Sequence, residues 1–195
     1  MRHFIFGLAL ALILALQPAL AATGMYQFSA RPFHYLEADL TTYSASGVGR
    51  MAGGSLGASA EFADRFLLSY KWNRNWKNSD TSIHYTRQSL GAGLSHRFNR
   101  DHLVYGKYYL LWDRLDTRHG SVSNDGNLIE LSYRYLLRWD VAFNGSLLFE
   151  DMDGLDRTNG FAVGVDLYTT EHNGYYLEWR DVNESRFSIG YRLRF

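Results

Sequence analysis

The last nine residues, Phe187-Ser188-Ile189-Gly190-Tyr191-Arg192-Leu193-Arg194-Phe195, alternate apolar side chains with small or charged ones without a break. Successive side chains of a strand point to opposite faces, so this stretch is a strand with one apolar and one polar face, and no helical period fits it. The same alternation recurs upstream. Tyr175, Leu177 and Trp179 oppose Tyr176, Glu178 and Arg180. Phe161, Val163, Val165 and Leu167 oppose Gly160, Ala162, Gly164 and Asp166. Val141, Phe143, Gly145, Leu147 and Phe149 oppose Ala142, Asn144, Ser146 and Glu150, and Ile129, Leu131, Tyr133 and Tyr135 oppose Glu130, Ser132 and Arg134.

Five further segments precede these. Leu36, Ala38 and Leu40 oppose Glu37 and Asp39. Leu56, Ala58, Ala60 and Phe62 oppose Gly53, Ser55, Gly57, Ser59 and Glu61. Phe66, Leu68, Tyr70 and Trp72 oppose Arg65, Ser69 and Lys71. Between about Thr81 and Phe98, the residues Leu90, Ala92, Leu94 and Phe98 oppose Arg87, Ser89, Gly91, Gly93, Ser95 and Arg97. Finally, Val104, Tyr108, Leu110 and Trp112 oppose Tyr105, Lys107, Tyr109 and Asp113. The pattern predicts an all-β chain of about ten strands, with eight as the alternative, each near the 9 to 11 residues of a membrane-crossing strand. Connectors appear short at Ala63-Asp64, Asn99 to Asp101, Arg138 to Asp140 and Thr169 to Asn173. They appear long and rich in Gly, Asn, Asp and Ser at Ser44 to Gly49, Asn73 to Asp80, Arg114 to Gly126 and Asp151 to Thr158, while Asp181 to Glu184 is brief. Short turns on one side and longer loops on the other are how outer-membrane barrels are built.

Composition removes several classes. Lys plus Arg and Asp plus Glu number 20 each among 195 residues, which gives no pull toward nucleic acid. No Cys is present, so a disulfide scaffold, a thiolate metal site and a Cys nucleophile are excluded. Ahead of the strands, Met1-Arg2-His3, the apolar run Phe4 to Leu16, and Pro18 before Ala19-Leu20-Ala21 follow the grammar of a cleaved signal peptide. Residues 1–21 are therefore expected to be an export signal and 22–195 one barrel domain.

Alternation alone does not say which face is buried. The polar face mixes charges with many Gly, Ser and Ala, as crowded interior positions require. The apolar face places Trp72, Trp112, Phe149, Phe161 and Trp179 toward the long-connector ends and Phe62, Phe66, Phe98, Trp139 and Phe195 toward the short-turn ends. Two aromatic belts flanking aliphatic residues match the two membrane interfaces. Only a closed sheet leaves no unpaired backbone in hydrocarbon. The expected fold is a closed antiparallel up-and-down transmembrane β-barrel, with a packed lumen holding Glu37, Asp39, Glu61, Lys71, Arg87, Lys107, Glu130, Arg134, Asp166, Glu178, Arg180, Arg192 and Arg194. Closure requires the first and last strands to pair, so Glu37 or Asp39 should meet Arg192 or Arg194.

The whole region after the signal resembles the small Gram-negative outer-membrane barrels, the OmpA-like and OmpX-like class in the broad sense. The resemblance rests on the signal peptide, the repeated alternating strands and the terminal row Phe187, Ile189, Tyr191, Leu193 and Phe195, which looks like the signature that the barrel assembly machinery reads. It implies location in the outer membrane, contact with lipid and lipopolysaccharide, and a monomer. Ten strands depart from the eight typical of that class. The expected role is non-enzymatic, without cofactor or metal: structural or surface-interactive, serving envelope integrity, adhesion or lipopolysaccharide contact. A narrow pore and a lipid A-modifying enzyme are the alternatives. For the enzyme, Ser82, His84 and Thr86 share one parity, but their order does not match the His-x-Ser element of lipid A deacylases and no acid adjoins them in sequence. Asp116, His119 and Asp125 form no catalytic pair by spacing, and Asp151, Asp153 and Asp156 read as a solvated turn rather than a Ca²⁺ loop.

Overall fold

A computed structural model describes residues 33–45, 49–63, 65–77, 80–138, 140–170 and 172–195. The expected signal, residues 1–21, and Trp139 lie outside the described residues. Ten strands form: β1 Tyr35–Ala45, β2 Gly49–Phe62, β3 Phe66–Lys77, β4 Asp80–Arg97, β5 His102–Thr117, β6 Gly120–Arg138, β7 Val141–Met152, β8 Thr158–Tyr168, β9 Asn173–Asp181 and β10 Ser185–Arg194. Each pairs antiparallel with its chain neighbours, and β1 pairs with β10, so the sheet closes into a barrel. The closing seam joins Tyr35 to Arg194 and Ser44 to Ser185.

The polar face points inward. Glu37, Asp39 and Thr41 are buried on β1, as are Gly190, Ser188 and Arg186 on β10, whereas Leu40 is 71 % exposed and Phe187, Ile189 and Leu193 also face out. A continuous apolar girdle of this kind is unstable in water and is what a bilayer solvates. The inward set is odd-numbered in β1–β5 and even-numbered in β6–β10. The switch at β5–β6 comes from a two-residue hairpin, Arg118-His119, which pairs Thr117 with Gly120. Gly120 sits at φ +146°, a backbone conformation that L side chains rarely adopt.

Two expectations need correction. Two of the four long connectors, Asn73 to Asp80 and Arg114 to Gly126, are largely strand, whereas residues 153–157 stay outside the strands. Only residues 78–79 separate β3 from β4, and only 118–119 separate β5 from β6. The Asp, Asn and Ser that resemble loop chemistry continue the ladder instead, with Asp113 opposite Asn124 and Arg114 opposite Ser123. Strands β4, β5 and β6 reach 18, 16 and 19 residues and rise beyond their neighbours, since β7 joins β6 only from Gly126 onward. Above the bilayer both strand faces can be hydrated, so apolar alternation fades although pairing persists. Asp116 and Asp125 consequently lie in β5 and β6, not in a loop.

The second correction concerns the lumen, which is not polar throughout. Phe33, Leu67 and Leu103 form one buried layer at the short-turn end, with Tyr35 and Tyr105 against it. Leu111, Leu128, Leu148, Met152, Ala162 and Val182 form another, and Tyr43, Met51 and Tyr85 a third. These residues sit on the inward parity but are apolar, so a polar-versus-apolar reading of the strands passes over them. Luminal tyrosines lie across opposing glycines: Tyr109 covers Gly91, and Tyr176 covers Gly190. A Cβ on Gly91 would come within 2.4 Å of the Tyr109 ring. Gly93 instead faces backbone, 2.1 Å from Gly106 O to the position of a Cβ.

Candidate functional site: the luminal charge network

Three linked clusters fill the lumen between the apolar layers. At the seam, Lys71 Nζ lies 2.9 Å from Glu37 Oε1 and 2.8 Å from Asp39 Oδ2. Arg192 Nε donates to Glu37 Oε2 at 2.9 Å, and Nη1 pairs with Asp166. Asp166 also accepts from Arg134 at 3.0 Å and from Asn144 and the Tyr168 hydroxyl, each at 3.1 Å. The Arg192 guanidinium stacks 4.0 Å from the Tyr176 ring centre, and Tyr176 donates its hydroxyl proton to Asp39. The chain β1–β3–β10–β8–β6 is thus cross-braced through side chains that no local segment brings together.

A second cluster lies toward the opposite rim. Arg87 is held by Asp113 at 2.7 Å, Glu150 at 3.0 Å and Glu184 at 3.5 Å. Tyr85 donates to Asp113 at 2.7 Å, and Asn183 to Glu150 at 2.8 Å. Glu184 belongs to the turn 182–184, which folds into the mouth: Val182 enters the apolar layer with Leu111 and Leu148, and Asn183 and Glu184 reach the charges below. Burial raises the Glu184 carboxyl above its ordinary range, against the opposing pull of Arg87. The third cluster links Arg180 to Glu130 at 3.6 Å and to Glu178 at 3.4 Å, with Arg186 3.8 Å from Glu178. Tyr105 and Ser132 donate to Glu130 at 3.2 and 3.0 Å.

The remaining named luminal residues are also inside. Lys107 is buried with its ammonium 5.0 Å from the Phe33 ring centre and 5.2 Å from that of Tyr105. Arg194 stacks 3.7 Å from the Tyr168 ring centre, and Ser95 donates to Glu61 at 3.2 Å. Arg65, grouped by parity with the inward residues, is exposed in the turn before β3. Sequence reasoning missed Glu184 and Arg186 as network members, because a turn and a strand edge carry no period. Tyr176 shares the polar parity of Glu178 and Arg180 and is inside as that parity predicts. The cavity left in the lumen is about 120 Å³, lined by Lys71, Lys107, Arg180, Glu37 and Glu130 among others. That volume holds a few waters.

Outside, Phe62 and Phe66 pair across the β2–β3 turn and Phe98 is exposed at the end of β4. Trp72 and Trp112 flank Gln88 from either side, and Phe161 packs edge-on to Trp179 at 5.1 Å. Phe149 and Phe195 also face out. His84 stands on the outer face opposite Asp116, an acid on another strand that the sequence does not place near it. Asp116 is engaged by Arg114 at 2.8 Å, and the buried His84 Nδ1 has no hydrogen-bond partner among the described residues. The Ser82 side chain lies outside those described. Asp151 is bound by Arg157 at 2.8 Å, and among the described residues no His, Cys, Asp and Glu group is arranged to hold a metal ion.

No protein-family model and no curated protein matches the chain. Solved structures do. The NanC porin aligns with a TM-score of 0.55 at 14 % identity, covering 82 % of this chain and 100 % of that one. The KdgM porin aligns at 0.47 with 16 % identity over 82 % and 99 % of the two chains. The β domain of the Bordetella autotransporter BrkA aligns at 0.48 with 12 % identity over 84 % and 100 %. Closed antiparallel topology, an apolar exterior and a charged, packed interior define the chain as a small β-barrel that resembles the outer-membrane barrel proteins of Gram-negative bacteria.

Proposed function

We propose that this protein is a non-conducting, non-enzymatic outer-membrane barrel whose working surface is the outer rim formed by β4, β5 and β6. The observation that supports this reading is the filled lumen: among the described residues, three apolar clusters and a cross-braced charge network leave a space of about 120 Å³. In this reading nothing passes through the barrel, and the long strands serve as a raised surface. The hairpin presents Arg114, Arg118 and His119 with Asp116 and Asp125, together with the exposed Val122. Adhesion or contact with lipopolysaccharide follows from such a ledge. In this reading residues 1–21 direct export, the outward row Phe187, Ile189, Tyr191, Leu193 and Phe195 is read by the barrel assembly machinery, and the protein works as a monomer.

The test replaces residues 114–123 with a two-residue Asn-Gly turn. The barrel should stay closed, seen as retained heat-modifiable gel mobility, while adhesion of expressing cells and co-purified lipopolysaccharide both fall. Unchanged adhesion and lipopolysaccharide content in a folded variant would reject the reading. A narrow pore is the second reading, favoured by one observation: the outer seal is a turn of three residues, 182–184, and not a strand.

A further inference from the structure

The lipid-facing wall carries a depression of about 830 Å³ across β4 to β8. Two outward glycines line it, with Leu131 Cδ2 3.3 Å from where a Cβ on Gly106 would stand. Gly106 stands between Leu94 and Leu131 in one cross-strand row, and Gly145 between Tyr133 and Val163 in the next. A Cβ on Gly145 would meet nothing within 4 Å, so the space above it is open. Large outward residues such as Leu94, Leu131, Leu147 and Phe161 surround them, so small residues in two adjacent rows lie in a hollow with apolar walls.

The depression is not apolar to its end. It runs to Arg65 and His96 at the short-turn end of the barrel, where β1 begins and β10 ends. Arg65 is exposed, and its backbone is tied to β4 because Ser95 N donates to Arg65 O at 2.7 Å. A cation at the mouth of an apolar hollow is complementary to a molecule with a phosphate at one end and a hydrocarbon chain behind it. In barrels of this kind the short turns face the periplasm.

We propose that the hollow binds one glycerophospholipid, with an acyl chain laid over Gly106 and Gly145 and the phosphate at Arg65. Filling the hollow removes the chain's seat, whereas neutralising Arg65 removes only the phosphate contact. The site requires the barrel in a bilayer but does not depend on the surface role proposed above.

The full chain is reconstituted in vesicles of phosphatidylethanolamine and phosphatidylglycerol, extracted, and weighed by native mass spectrometry. The wild type should retain one phospholipid. Gly145→Leu should lower the retained fraction at least tenfold and Arg65→Gln severalfold, while Ala38→Leu, which adds three carbons to the exposed β1 face, should leave it unchanged. Heat-modifiable mobility checks that each variant is folded, and Arg65→Gln, in a turn, keeps the test valid should Gly145→Leu fail to fold. Equal retention by wild type and Arg65→Gln, or by wild type and folded Gly145→Leu, overturns the proposal. Retention of lipid A in preference to phospholipid, when vesicles contain both, overturns it as well.

Discussion

Glu37 on β1 stands directly opposite Arg192 on β10, and its carboxylate accepts from Arg192 Nε at 2.9 Å across the seam that closes the barrel. Arg192 simultaneously pairs with Asp166 on β8, so one guanidinium ties the first strand, the last strand and the far wall. Truncating it removes one cation from each of two buried carboxylates, leaving Glu37 to Lys71 and Asp166 to Arg134. Arg192→Met should cost about 3 kcal/mol, the low end of the range for breaking a buried pair from one side, because each carboxylate keeps a second cation. Glu37→Gln should cost less, since Lys71 keeps Asp39 and Arg192 keeps Asp166. Urea midpoints of the two variants in detergent micelles check the order; the reverse ranking would mean that Arg192 is not the hub.

The proposed filled lumen predicts silence in planar bilayers. The wild type should show no stable conductance steps at neutral pH, because side chains fill barrels of this size and apolar layers exclude a water column. Val182→Ser places a hydroxyl in the outer layer and should produce brief openings. Frequent large steps from the wild type would instead establish the pore reading.

The turn 182–184 should respond to pH. Burial raises the Glu184 carboxyl, so the seated turn binds a proton more tightly than an open one in which Glu184 is hydrated. Protonation therefore favours the seated turn: its stability is full at acidic pH and declines as pH rises through the raised value. NMR signals of the Asn183 side-chain amide, which donates to Glu150, should show the seated state losing population over that rise. Glu184→Gln should abolish the dependence; a variant that titrates like wild type would assign the effect to another group.

Gly91 and Gly145 make opposite predictions for one added methyl. Gly91→Ala drives Cβ into the Tyr109 ring and should cost about 1–3 kcal/mol through overpacking. Gly145→Ala enters open space on the outer face and should stay within about 0.5 kcal/mol of wild type. Double substitution of Gly91→Ala with Tyr109→Ala, compared with Tyr109→Ala alone, should show the Gly91 penalty disappear; its persistence would place the strain in the backbone.

By itself the sequence determined the period of two, the ten strands and the pairing of first with last, because a strand's faces are written at every second residue and closure puts opposite charges at Glu37 and Arg192. It also marked most of the luminal charges, since parity is local. Only the tertiary structure decided where strands end above the membrane, for ladder pairing between Asp113 and Asn124 leaves no apolar signature once both faces are hydrated. It likewise decided that Leu111, Leu128 and Leu148 point inward beside charges: an inward leucine and an outward one look alike until a closed wall brings other side chains against them. The partners of Arg87, drawn from β5, β7 and the β9–β10 turn, lie far apart in the chain, and only the curvature of the closed barrel brings those carboxylates within reach of one guanidinium.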